Sequence, residues 1–170
     1  MRNRTQLERR AWKLLRELEI ESEPVDVFAI AERLGARIQY ENADEELSGA
    51  LYRDDGNGPV IGVNARHHPN RQRFTVAHEI GHLLLHDEPV FVDRVFRRDK
   101  VSSEAVDPLE IEANGFAAAL LMPKEFVVRR TNGSGPFRSE AVDRLASDFG
   151  VSSQAMTFRL ERLGVPLDHA

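Results

Sequence analysis

The stretch that decides the fold is Arg71-Gln-Arg-Phe-Thr-Val-Ala-His78-Glu79-Ile-Gly-His82-Leu-Leu-Leu-His86. Phe74, Ala77, Gly81, Leu84 and Leu85 recur at helical spacing, and Pro89 lies just past the last of them. Asn70 supplies a cap, so a helix is expected over about residues 71–86. Within it stands H-E-x-x-H. Residues four apart lie about 40° apart around a helix and one turn along. His78 and His82 therefore share a face, where their ring nitrogens can bind one Zn²⁺. Glu79 projects beside them, within reach of a metal-bound water whose proton a carboxylate can take.

A third ligand is needed. After an irregular stretch at 87–107, Asp107-Pro108 reads as an N-cap followed by proline at the first helical position. The helix it opens runs to Met122 and carries Glu110 and Asn114 on one face, so Glu110 is the favoured ligand and Asn114 an outer brace for an imidazole. Two alternatives stay open. Glu112 lies about 160° round from Asn114 and competes for the metal only if the helix is turned. His86 continues the His78/His82 row but is two turns from His78, which suits an outer or structural role better than ligation. Asp107 and Glu110 also fit a capping box, the bland use of Glu110. His67, His68 and His169 are expected at the surface.

Further out, Leu7, Ala11, Leu14, Leu15 and Leu18 form a helical stripe, and a short helix over Val27 to Leu34 ends at Gly35. Residues 36–40, 47–52 and 59–64 are three strands, the last two joined by the Gly/Asn/Asp-rich loop 53–58. The 59–64 strand directly precedes the histidine helix and is the expected edge for an extended peptide to pair with. Tyr52, Arg73 and His86 are candidates to stabilise an oxyanion. Pro123 turns the chain, residues 131–136 form a linker, and two helices follow at 138–149 and 153–163. The expected fold is α+β: a core over residues 1–130, with an active-site helix beside a small mixed or antiparallel sheet, and a helix-turn-helix-like subdomain over 137–170. Phe149, Met156, Phe158, Leu160 and Leu163 are its expected core.

Composition narrows the classes. The 170-residue chain has no cysteine, which excludes a disulfide scaffold, a thiol nucleophile and a sulfur-ligated zinc. A metal must be held by His, Asp or Glu. No apolar run is long enough for a signal peptide or a membrane span, so a cytoplasmic protein is expected. The net charge is −5, and residues 137–170 carry four Arg against five acidic residues. That balance argues against direct nucleic-acid binding by the C-terminal helices, and favours packing or partner recognition.

These segments together resemble the ImmA/IrrE family of zinc metallopeptidases. The resemblance is carried by Ile61-Gly-Val-Asn64, by residues 71–86, and by Glu110-Ile-Glu-Ala-Asn-Gly-Phe-Ala117 with Leu120-Leu-Met-Pro123. It is carried more weakly by Pro24-Val-Asp-Val27 and Phe149-Gly-Val-Ser152. It implies a zincin-like core, Zn²⁺ on His78, His82 and Glu110, and Glu79 as catalytic base. It also implies an endopeptidase that cleaves a helix-turn-helix repressor or antitoxin, in a phage, mobile-element or toxin-antitoxin setting. Many relatives carry a DNA-binding domain ahead of the peptidase. Fewer than 25 residues precede Pro24 here, so the regulator is expected to be a separate polypeptide. The competing expectation is a non-proteolytic zinc protein that sequesters such a regulator.

Overall fold

The computed structural model describes all residues except 54–55, 95–106, 133–134 and 169–170, so His169 lies outside the described residues. The element order is α1 (Arg4–Glu17), α2 (Val27–Arg33), β1 (Arg37–Glu41), β2 (Leu47–Tyr52), β3 (Val60–Asn64), α3 (Pro69–Leu85), β4 (Val90–Arg94), α4 (Pro108–Leu121), α5 (Lys124–Thr131), α6 (Ser139–Phe149) and α7 (Ser153–Leu163). Seven helices and one mixed four-stranded sheet make an α+β fold among the described residues.

Local chemistry fixes the helix starts. Asp26 accepts from the backbone N–H of Phe28 and Ala29, Asp107 from Leu109, and Ser152 from Ala155. Each satisfies donors that the first helical turn leaves open. The histidine helix begins two residues earlier than expected, at Pro69. There His68 Nδ1 accepts from Asn70 N at 3.2 Å. Asn70 is instead spent on tertiary structure, its Nδ2 donating to Val151 O at 3.1 Å.

The sheet order is β1-β3-β2-β4, with β1 and β3 parallel and β2 antiparallel to both neighbours. This corrects two expectations. The strand after the hairpin, β3, is interior and cannot accept a peptide along an edge. The stretch after the histidine helix is not all irregular, because Val90-Phe-Val-Asp-Arg94 pairs with β2 as the fourth strand. Val90 and Val92 are exposed while Phe91 and Asp93 turn inward. Pro123 likewise opens a further helix, α5.

α3 packs on β2 and β3 and against α4, which packs in turn on α1. Two glycines permit these approaches. A Cβ at Gly49 would stand 2.3 Å from Thr75 Cγ2 on α3, and one at Gly81 would stand 3.1 Å from Ala113 Cα on α4. One buried cluster runs through all layers, with Phe116, Phe126 and Phe149 among its largest fully buried members. Each such side chain contributes roughly 1.5–3 kcal/mol by burial. Phe158, expected in the core, is 46% exposed, and His67, expected at the surface, is buried with Nε2 on Glu45 O.

Candidate metal centre

His78 and His82 sit one turn apart on the buried face of α3, with Nε2 atoms 3.0 Å apart. α4 brings Glu110 against them. Its Oε2 lies 3.1 Å from His78 Nε2 and its Oε1 3.2 Å from His82 Nε2. In this triangle of residues, two imidazole nitrogens 3.0 Å apart, each within 3.2 Å of a different oxygen of one carboxylate, fit a cation whose bonds to such donors are about 2.0–2.2 Å. Glu110 therefore turns to the histidines rather than closing a capping box. Glu112, nearly opposite on α4, turns away from the triangle.

Both imidazoles are braced on their other nitrogen. His78 Nδ1 lies 3.0 Å from Asn114 Oδ1, and His82 Nδ1 lies 2.9 Å from His86 Nδ1. An amide oxygen only accepts, so His78 donates from Nδ1, which leaves Nε2 as the nitrogen available to a metal. Phe91 of β4 stacks on the His82 ring, centroids 3.9 Å apart.

Glu79 is fully buried next to His78, and neither of its carboxylate oxygens has a hydrogen-bond partner. Burial pushes its carboxyl up to about 8; Asp93 and Glu110 add to the rise and His78 opposes it. Burial acts the same way on Glu110, but hydrogen bonds from His78 and His82 win and hold it down at about 2. Burial lowers both imidazoles and Glu110 raises both; the balance leaves His78 above and His82 below the ordinary histidine value.

The triangle opens onto a cleft of about 240 Å³ lined by Ser48, Arg71, Phe74, Thr75, Asp93, Glu110 and Asn114. Asp93 also approaches His78 and Glu79 closely enough to form a second cluster of candidate ligands. Of the oxyanion candidates, Arg73 is committed to Val25 O, Phe149 O and Gly150 O, and His86 to His82. Tyr52 lies in a different groove, on the sheet between β2 and β3. The cation in the cleft is Arg71, its Nη2 donating to Ser48 Oγ at 3.3 Å. Sequence reasoning passed over Asp93, Phe91 and Arg53. The apolar–polar alternation of residues 90–94 was the available signal for the first two.

Arg53 closes the C-terminal end of α3. Its guanidinium Nη2 donates to His82 O, Leu83 O and His86 O at 2.9, 3.3 and 2.5 Å, and its Nε to Glu88 O at 2.9 Å. A fixed cation at a helix C-terminus satisfies orphan carbonyls and complements the helix dipole.

Residues 31–161 match the family model Peptidase_M78, the IrrE N-terminal-like domain. The chain is similar to the "Radiation response metalloprotease IrrE" of Deinococcus radiodurans, 36% identical over 114 residues, or 65% of this chain and 34% of that one. It is also similar to the protein of the same name from Deinococcus deserti, 37% identical over 114 residues, or 65% of this chain and 39% of that one. It thus matches little more than a third of the length of these curated relatives. The "Uncharacterized immunity region protein 2" of Bacillus phage phi105 is 31% identical over 91 residues, 54% of each chain. Among solved structures, a Mycobacterium tuberculosis transcriptional regulator superposes with a TM-score of 0.63 at 20% identity, covering 92% of this chain and 46% of that one, a likeness of fold. The family implies a metal, and the His78–His82–Glu110 triangle has the donors for one. By the extent of the family match, this chain belongs to the IrrE N-terminal-like metallopeptidase family.

Proposed function

We propose that the chain is a zinc-dependent endopeptidase with a zincin-like core, and that it cleaves a separate helix-turn-helix repressor or antitoxin in the cytoplasm, derepressing its target genes. In this reading His78, His82 and Glu110 hold the metal, Glu79 is the catalytic base, and Asn114 and His86 brace the ligands. Residues 1–130 form the peptidase unit and 137–170 a helical appendage.

The observation that carries the proposal is Glu79. A fully buried carboxylate with both oxygens unpartnered is costly, and native proteins keep such groups where chemistry uses them. A zinc site that served only to shape a binding surface has no use for it, which sets the sequestering alternative aside. Zinc, when bound, polarises the scissile carbonyl and acidifies the attacking water. Glu79 Oε takes the water's proton and delivers it to the leaving amine nitrogen. Arg71, the cation lining the cleft, is the donor for the developing oxyanion or for a substrate carbonyl. β4 has β2 on one side and no strand on the other among the described residues, so it is the strand an extended substrate would join.

The regulator as substrate is supported by relatives named for a radiation response and for a phage immunity region. No described helix is long and apolar enough to cross a membrane. The test is to incubate the chain with zinc and any helix-turn-helix regulator found encoded beside its gene, with a chelator control. Glu79→Gln is expected to bind one zinc as the wild type does and to slow cleavage by about 10²–10⁴-fold. Undiminished cleavage by Glu79→Gln would remove the mechanism.

A further inference from the structure

A polar chain runs from Arg2, just ahead of α1, through the buried Glu112 and His86 to the metal triangle. Arg2 immediately precedes Asn3, whose capping box with Gln6 fixes the start of α1. Its backbone N–H donates to Glu112 Oε1 at 2.5 Å and its Nη1 to Glu112 Oε2 at 2.8 Å. Glu112, on α4, is 2% exposed, and its Oε2 lies 3.4 Å from His86 Nε2. His86 in turn meets His82 at 2.9 Å, Nδ1 to Nδ1.

The protons on this chain can be assigned. A carboxylate only accepts, so His86 carries its proton on Nε2 and accepts at Nδ1. His82 must then carry a proton on Nδ1, which leaves Nε2, the nitrogen beside Glu110, as the one available to a metal. One tautomer of His86 and a proton on His82 Nδ1 satisfy the contacts from Glu112 to His82, and that placement is the one that metal ligation through His82 Nε2 requires. A neutral amide in place of Glu112 could donate to His86 as well as accept, and would no longer dictate that state. The backbone of His86 is clamped independently by Arg53. Glu112 thus acts on a ring whose main chain is already held.

We propose that Glu112, held by Arg2, is a positioning residue for the metal centre, acting through His86 to fix the tautomer and plane of His82, so that the start of α1 helps to set metal affinity. This rests on His78, His82 and Glu110 being the zinc ligands. A mere tether between α1 and α4 would affect the stability of the apoprotein and leave metal affinity alone.

The experiment titrates the full chain with zinc against a chromophoric chelator, with thermal unfolding of each apoprotein alongside and the visible spectrum of the Co²⁺-loaded forms. Glu112→Gln is expected to weaken zinc binding by about 10–100-fold and to alter the Co²⁺ spectrum. Arg2→Ala, at a half-exposed position, is expected to weaken it by about 3–10-fold, with Arg2→Lys recovering part of the loss. A folded Glu112→Gln protein with affinity within about two-fold of wild type and an unchanged Co²⁺ spectrum would overturn the proposal. If Glu112→Gln does not fold, Arg2→Ala decides, and unaltered affinity there overturns it equally. A wild-type chain that binds no zinc would instead overturn the ligand assignment on which the proposal rests, a result distinct from either.

Discussion

Glu79 and Gly49 form one unit at the residue scale. Among the described residues, the buried side-chain atoms without a partner are His67 Nδ1 and the two Glu79 oxygens. Gly49 on β2 walls that space. A Cβ there would stand 3.2 Å from Glu79 Oε1, 2.9 Å from Gly62 O and 2.3 Å from Thr75 Cγ2. Backbone and a β-branched side chain in contact with it have little room to yield. Gly49→Ala is therefore expected to cost about 1–3 kcal/mol in urea unfolding, and to lower kcat with little change in zinc stoichiometry. An alanine variant with wild-type stability and turnover would show that the wall can shift. The spacing of His78, Glu79 and His82 was legible in the sequence because four residues are one helical turn. Gly49 and Asp93 were not, because only strand pairing brings them to α3.

At the element scale, the C-terminal end of α3 is held by a side chain from elsewhere. Arg53, leaving β2, donates to three carbonyls in its last turn, among them those of His82 and His86. Arg53→Ala leaves those carbonyls short of a donor next to the metal centre. The expected cost is about 1.5–3 kcal/mol by urea unfolding. Arg53→Lys should recover only part, since a single ammonium cannot span Glu88 O and the helix end together. Full recovery by lysine would reduce the role to charge alone. The limits of α2, α3, α4, α6 and α7 came out of the sequence to within about two residues, whereas α5 was not expected. Their caps are local: Asp26, Asp107 and Ser152 each accept from an N–H two or three residues on. Sheet order was misread for the opposite reason. Whether β3 is an edge depends on β1 arriving from one side and β2 from the other, and neither contact is local.

Over the whole molecule, a half-buried arginine and a buried one tie the C-terminal helices to the rest. Arg73 of α3 donates to Val25 O, Phe149 O and Gly150 O, joining the approach to α2 with the turn between α6 and α7. Arg159 of α7 donates to Met122 O and to Glu8 of α1. Arg73→Met strands three carbonyls and should cost about 2–4 kcal/mol, read as a lower urea midpoint. A midpoint unchanged from wild type would remove Arg73 from the scaffold. Glu23 adds a pH-dependent tie to α5. Burial alone would raise its carboxyl, but hydrogen bonds from its own backbone, Arg130 and Arg129 outweigh this and hold it below the ordinary value. A depressed folded pKa stabilises above the unfolded carboxyl's value and is lost as pH falls through the folded one. Wild type should therefore exceed Glu23→Gln by about 2–4 °C in Tm at neutral pH, for about 1 kcal/mol. The gap should close in acid, and a gap that widened there would reverse the sign.

The sequence by itself determined what is periodic or local: the α+β class, most of the helices, the Asp107 cap, the His78–Glu79–His82 face, and the absence of any sulfur ligand. It also singled out Glu110 and Asn114 as a pair on one helical face. Only the tertiary structure decided which side of α4 meets α3, and so separated Glu110 at the triangle from Glu112 behind His86. It alone put β4 at the edge beside the cleft and Arg53 under the end of α3. The physical reason is the same in each case. A helix or a cap is set by interactions spanning a few residues, whereas a face, an edge or a buried carboxylate is chosen by segments far apart in the chain competing to cover one another.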